Sequence, residues 1–267
     1  MAASCRRLPL ILRNRAFGRV WAAQFLTQAA VRMFQVGVAW WLISYATTGG
    51  GFAAGLLMAV STLPAVALVP FVTRAIGRFP HRSLLRAAAA CATAVATTAA
   101  LWAAMSGLPL FVAYAAALAL ATCQAFFDPC LTTSVPELVD DADIEAATGF
   151  ELSTQSLAGL GGALLGALVV DGVGLAGLAA GCAAAYGVAA ALLTTARFRA
   201  PSTPAGRPEQ GFPRPESRRR VLNGLPYVRA ILLCFTAANL FTTAVFVVIP
   251  LYTASVLRGD GGTVALL

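Results

Sequence analysis

The chain has 267 residues, 59% of them hydrophobic and 11% charged, with a mean hydropathy of +0.78 and a formal net charge of +8. A soluble domain is about 45–50% apolar and about 25% charged, so this composition excludes disorder and argues against a water-soluble globule. All 19 basic residues are arginine and His81 is the single histidine, which excludes lysine Schiff-base chemistry, a phosphate-loop lysine and a multi-histidine metal centre.

A helix that crosses a bilayer needs about 20 mostly apolar residues. In chain order such runs fall at 19–46, 52–73, 84–105, 109–127, 146–170, 173–195 and 229–256, predicting an all-α polytopic membrane protein with a six-helix N-terminal bundle and a seventh span. Leu8-Pro9-Leu10-Ile11-Leu12, ahead of the first run, is too short for a signal-peptide core, so no cleavage is expected. Short Gly/Pro turns at Thr47–Gly51, Ser106–Pro109 and Asp171–Gly174 alternate with longer charged connections. The acidic stretch 128–145 reads as one of those loops. Cys5, Cys91, Cys123, Cys130, Cys182 and Cys234 form no C-x-x-C pair and read as packed or lipid-facing hydrophobes.

Arginine sets the expected sidedness. Arg6, Arg7, Arg13, Arg15 and Arg19 precede the first run, and Arg74, Arg78 and Arg82 separate the second from the third. Seven more, ending in Arg218-Arg219-Arg220, lie between the sixth and seventh, and the short turns carry none. Positive loops face the cytoplasm, so the expectation is a multi-pass protein of the plasma (inner) membrane with a cytoplasmic N-terminus. Pro201, Pro204, Pro208, Pro213 and Pro215 mark 200–226 as an exposed linker. The expected division is thus 1–199 as a six-span bundle, 200–226 as a cytoplasmic Pro/Arg-rich linker, and 227–267 as the first span of an incomplete second half.

Ionisable and amide side chains inside the membrane are costly and point to cavities or bundle interiors. Arg32 lies about 13 residues into its run, near 20 Å deep. Gln24, Gln28, Arg32 and Gln35 share one helical face and are candidates for lining a solute path, together with Gln124 and Gln155. Interhelical hydrogen bonding, with Arg32 snorkelling outward, is the plainer reading. Glu151 is the carboxylate expected inside a span, roughly 7 Å from its end. It reads equally as a proton-coupling group and as a wetted interface residue. Gly162-x-x-x-Gly166 is a small-x-x-x-small pattern for close helix packing, and Gly177-x-x-x-Gly181 repeats it.

Several stretches carry a family resemblance. Asn14-Arg15-Ala16-Phe17, Trp21-Ala22-Ala23-Gln24-Phe25 and Ala39-Trp40-Trp41-Leu42 resemble the opening of major facilitator superfamily transporters, in their enterobactin-exporter-like and drug-exporter branch. Arg78-Phe79-Pro80-His81-Arg82 stands where that family has a basic loop signature, and Phe127-Asp128-Pro129 to Glu137-Leu138-Val139 is similar to the approach to its fifth span. Ala30-Val31 replaces the family's Gly-Asp, and Thr73 and Gly77 replace the Gly and Asp of the loop.

The resemblance implies a secondary active transporter working by alternating access, an exporter of an amphipathic small molecule such as a drug-like natural product or siderophore. It also implies a gating loop of Arg78, His81 and Arg82, for which the acidic stretch 128–145 offers Asp128 or Glu137 as partners on the same side of the membrane. The alternative is a truncated or degenerate non-transporting protein or accessory subunit. The expected partners are the lipid bilayer, a small-molecule substrate, proton coupling, and a missing second half or partner subunit. No enzyme activity, cofactor, metal or nucleic acid is expected.

Overall fold

Asn14 shows how the helices are joined. Its Oδ1 accepts from the backbone N–H groups of Ala16 and Phe17 at 3.0 and 3.1 Å, satisfying donors that a helix start leaves open. Its Nδ2 donates at 2.7 Å to the carbonyl of Leu138, at the end of a helix more than a hundred residues later. One side chain therefore caps one helix and ties it to another.

The computed structural model describes residues 10–45, 50–196 and 225–252. Among them the chain is helical almost throughout: α1 (Leu10–Arg13), α2 (Arg15–Tyr45), α3 (Gly50–Ala67), α4 (Val69–Arg78), α5 (His81–Ser106), α6 (Leu110–Leu138), a 3₁₀ turn (Asp141–Asp143), α7 (Ile144–Thr195) and α8 (Pro226–Tyr252). Four of these, α3, α5, α6 and the segment containing α7, are long and apolar enough to cross a membrane. The expected linker 200–226 and the turn at 47–49 lie outside the described residues, apart from the linker's last two positions.

The 52-residue α7 comprises two helices joined at Gly174, whose φ of 70° and ψ of −174° belong to a region that glycine enters without strain. The halves return along the same neighbour. A Cβ on Gly166 would meet Gly37 N at 2.9 Å, and one on Gly37 would meet the Leu178 side chain at 2.7 Å. Farther along, a Cβ on Gly162 would touch Ala29 O at 2.5 Å, and Cys182 Sγ donates to Ala30 O at 3.4 Å. Both halves thus flank α2, which sits at the centre of the bundle. In a bilayer the apolar solvent is lipid, so association depends on close packing rather than on hydrophobic exclusion. The stripe Leu85, Ala89, Ala92, Ala96 and Ala99 on α5 provides it with small side chains at spacings of four and three.

Two buried apolar clusters result. One holds Phe34, Trp40, Leu57, Leu120, Leu178 and Tyr186; the other holds Phe17, Leu85, Phe127, Leu131 and Leu193. Between them α2 carries the buried polar residues Gln24, Thr27 and Gln28. The cluster containing Phe17 adjoins a charged end. There Arg13 pairs with Asp143, Arg19 Nη1 donates to Thr195 O at 2.7 Å, and Arg86 donates to Leu193 O and Thr194 O at 3.0 Å each. Arg19 and Arg86 thereby satisfy open carbonyls at the α7 C-terminus. At the opposite end Trp40 Nε1 donates to Asp171 Oδ1 at 2.7 Å and Tyr114 donates to Ala53 O at 2.6 Å.

Two expectations about element boundaries need correction. The run 52–73 is not one helix: it breaks at Leu68 between α3 and α4, where Pro64 and Pro70 both interrupt the ladder. The stretch 128–145 is not a loop from its first residue. α6 continues through Asp128 and Glu137 to Leu138, because Phe127, Cys130, Leu131, Ser134, Val135 and Leu138 extend its buried stripe across Pro129 and Pro136. An Asp-Pro step disfavours helix locally, and here tertiary burial outweighs that preference.

Candidate functional site

At mid-length α2 turns a polar face toward α3 and α6, and the three helices with Ala163 of α7 enclose a cavity of about 400 Å³. Gln28, Arg32 and Gln35 come from α2, Gln124 and Asp128 from α6, and Ser61 and Thr62 from α3. Val31, Val36, Met58, Ala65, Ala121 and Ala125 supply an apolar wall. A mostly apolar hollow with a few convergent polar groups has the makings of a small-molecule site.

Asp128 organises the polar side. Its Oδ1 accepts from Gln28 Nε2 at 2.7 Å and from Gln124 Nε2 at 2.6 Å. Gln124 lies one turn earlier on the same helix, whereas Gln28 reaches across from α2, so the carboxylate joins two helices at the cavity edge. Arg32 remains exposed, with Nη1 3.5 Å from Gln35 Oε1, a weak contact at the limit of hydrogen bonding. It acts on Asp128 through its charge, without a direct hydrogen bond. Ser61 and Thr62 spend their hydroxyl protons on the carbonyls of Leu57 and Ala59, at 2.8 and 2.9 Å, and so offer acceptor lone pairs. The cavity combines a guanidinium, amide donors, a carboxylate and hydroxyl acceptors on an apolar background.

The sequence-predicted candidates divide into three groups. Gln28, Arg32, Gln35 and Gln124 meet at the cavity. Gln24, placed on the same helical face, instead turns toward Glu151 in a separate narrow void, and the half-buried Gln155 is not among the cavity's lining residues. Glu151 is buried; its Oε1 accepts from Thr132 Oγ1 at 2.5 Å. Gly162 and Gly166 pack against the α2 backbone, whereas a Cβ on Gly177 would meet the side chain of Val173, just across the Gly174 joint.

Asp128, grouped with the gating loop, lies on the cavity wall because its helix does not end at Phe127. It faces Gln28 and Gln124 rather than the loop arginines. The acidic partner at the loop is Glu137, whose Oε1 lies 2.6 Å from His81 Nδ1, while Arg78 and Arg82 are exposed. Met58, Ser61 and Thr62 were not foreseen. The adjacent hydroxyls in an apolar run just before Pro64 were the available signal.

A family model described as Major Facilitator Superfamily matches residues 20–267. No curated protein and no solved structure matches the chain. A helical, membrane-type bundle enclosing a polar cavity accords with that match, and the chain belongs to the Major Facilitator Superfamily, a family of secondary transporters and not of enzymes.

Proposed function

We propose that the protein exports an amphipathic small molecule across the plasma (inner) membrane, with its N-terminus in the cytoplasm and residues 1–199 acting as one moving unit. The observation that carries this reading is the assembly of Arg32, Gln28, Gln124 and Asp128 beside an apolar wall in one cavity of about 400 Å³. Such a lining suits a solute with an apolar body and a polar or ionisable end. The charged end, with Arg13, Arg19 and Arg86, supports the cytoplasmic assignment of the N-terminal side. On this reading 200–226 is a cytoplasmic linker and 227–267 includes the first span beyond the six-helix unit.

Proton coupling is assigned to Asp128, the carboxylate that faces the cavity. Glu151, the coupling candidate expected from the sequence, faces a void that is too narrow for a solute. The loop of Arg78, His81 and Arg82 serves as the gate, with Glu137 as its acidic contact. The test is flux in proteoliposomes with and without an imposed proton gradient, using a panel of lipophilic cations, siderophores and weak acids. Gradient-driven flux is expected in the wild-type protein and is expected to disappear in Asp128→Asn, with solute exchange retained. Undiminished gradient-driven transport in Asp128→Asn would remove the coupling role.

A further inference from the structure

One turn from the cavity, three buried polar atoms without a protein partner among the described residues belong to side chains that line the same narrow void. They are Trp21 Nε1, Gln24 Nε2 and Glu151 Oε2. Gln24 is 2% exposed and Glu151 is 6% exposed, so neither group is solvated from bulk. The void measures about 10 Å³ and is closed by Phe17, Val20, Leu131, Val135 and Leu138. That is about the least volume that holds one water, which also needs two to four polar partners.

We propose that Trp21, Gln24 and Glu151 form a built site for a single water molecule, distinct from the solute cavity. The match is chemical as well as spatial. The site presents two N–H donors and one carboxylate acceptor, so its occupant must accept two hydrogen bonds and donate at least one. Water does both. A metal cation accepts no hydrogen bond from the two N–H groups, and a small anion donates none to the carboxylate. With the water in place all three orphaned groups are satisfied, each of which otherwise carries a desolvation penalty.

The water also has a structural consequence. Glu151 of α7 is held at Oε1 by Thr132 of α6. The water carries Oε2 to Trp21 and Gln24 of α2, so one carboxylate fastens three helices between the cavity and the charged end. Trp21 is fixed in turn by stacking on Phe25, with ring centroids 6.2 Å apart.

Radiolytic hydroxyl-radical footprinting of the full chain in lipid nanodiscs tests this, because radiolysis of a bound water oxidises the buried side chains around it. Phe17 and Leu131, which line the void, are expected to be oxidised severalfold more than Phe34 and Leu120, which are buried in the other cluster. The excess is expected to vanish in Trp21→Phe/Gln24→Leu and to fall partly in Trp21→Phe alone, the milder change should the pair impair folding. Equal oxidation of the two sets in the wild-type protein means a dry void and overturns the proposal. An excess that survives loss of both N–H donors in a folded variant reports bulk access, and overturns it as well.

Discussion

At the scale of single residues, the polar groups inside this bundle are governed by donor and acceptor accounting. Asn14 caps α2 and binds the open carbonyl of Leu138, so Asn14→Ala is expected to cost about 1–2 kcal/mol, read as a lower melting temperature in detergent. Tyr186 presents the opposite case: its ring is fully buried, yet its hydroxyl has no partner among the described residues. Tyr186→Phe removes an unsatisfied polar atom and keeps the ring, so melting is expected to be unchanged or raised by an amount equivalent to about 1 kcal/mol. A marked loss of stability would show that the hydroxyl has a partner in the membrane-embedded protein. The chemistry of Arg32 and the glutamines was legible from their spacing in the sequence. The grouping of Gln24 with Glu151 was not, because two residues four apart on a helix share a face yet meet different neighbours across it.

At the scale of elements, α2 and α7 owe their close approach to absent side chains. Gly162 and Gly166 were readable as a small-x-x-x-small pair, but Gly37, their counterpart on α2, stood in no such pattern and emerged only from the contact with Gly166. Gly166→Ala would place a methyl group 2.7 Å from Met33 O and 2.9 Å from Gly37 N, both backbone atoms of the neighbouring helix. Displacing that helix is expected to cost about 1–3 kcal/mol. Gly181→Ala meets only the flexible Met33 side-chain tip at 3.4 Å and is expected to be tolerated, so thermal melts of the two variants should separate clearly. Similar losses for both would contradict the packing described for α2 and α7. The repeat at Gly177 and Gly181 had the same spacing in the sequence and does not make the same contact. Spacing identifies which residues can share a face, while the neighbouring element decides whether a small one is required there.

For the whole molecule, the predicted sidedness becomes a labelling experiment. In a cysteine-free background, Gly172→Cys is expected to react with a membrane-impermeant thiol reagent in intact cells, and Arg78→Cys only after permeabilisation. Gly172 is a suitable reporter because a Cβ there meets nothing within 4 Å, whereas a Cβ on Gly50 would strike Leu42 O at 2.2 Å. External labelling at Arg78 would invert the orientation. The cavity is tested in the same background: Gln28→Cys and Gln35→Cys are expected to react with a hydrophilic reagent and Val38→Cys, buried in the apolar cluster, is not. Uniform reactivity at the three positions would mean that no defined cavity exists.

The sequence by itself determined the class of this protein. An apolar, lysine-free chain with long uncharged runs can bury its backbone polar groups in a membrane only as helices, and arginine clustering orders the connections between them. Only the tertiary structure decided where the carboxylates lie. Asp128 stands before a proline and reads locally as a helix end, yet burial of the stripe from Phe127 to Leu138 carries α6 past it and brings it onto the cavity wall. The packing of the first half of α7 along α2 places Glu151 beside Trp21 and Gln24, more than a hundred residues earlier. Helical periodicity is a local property that a sequence displays directly, whereas such meetings depend on which faces pack together.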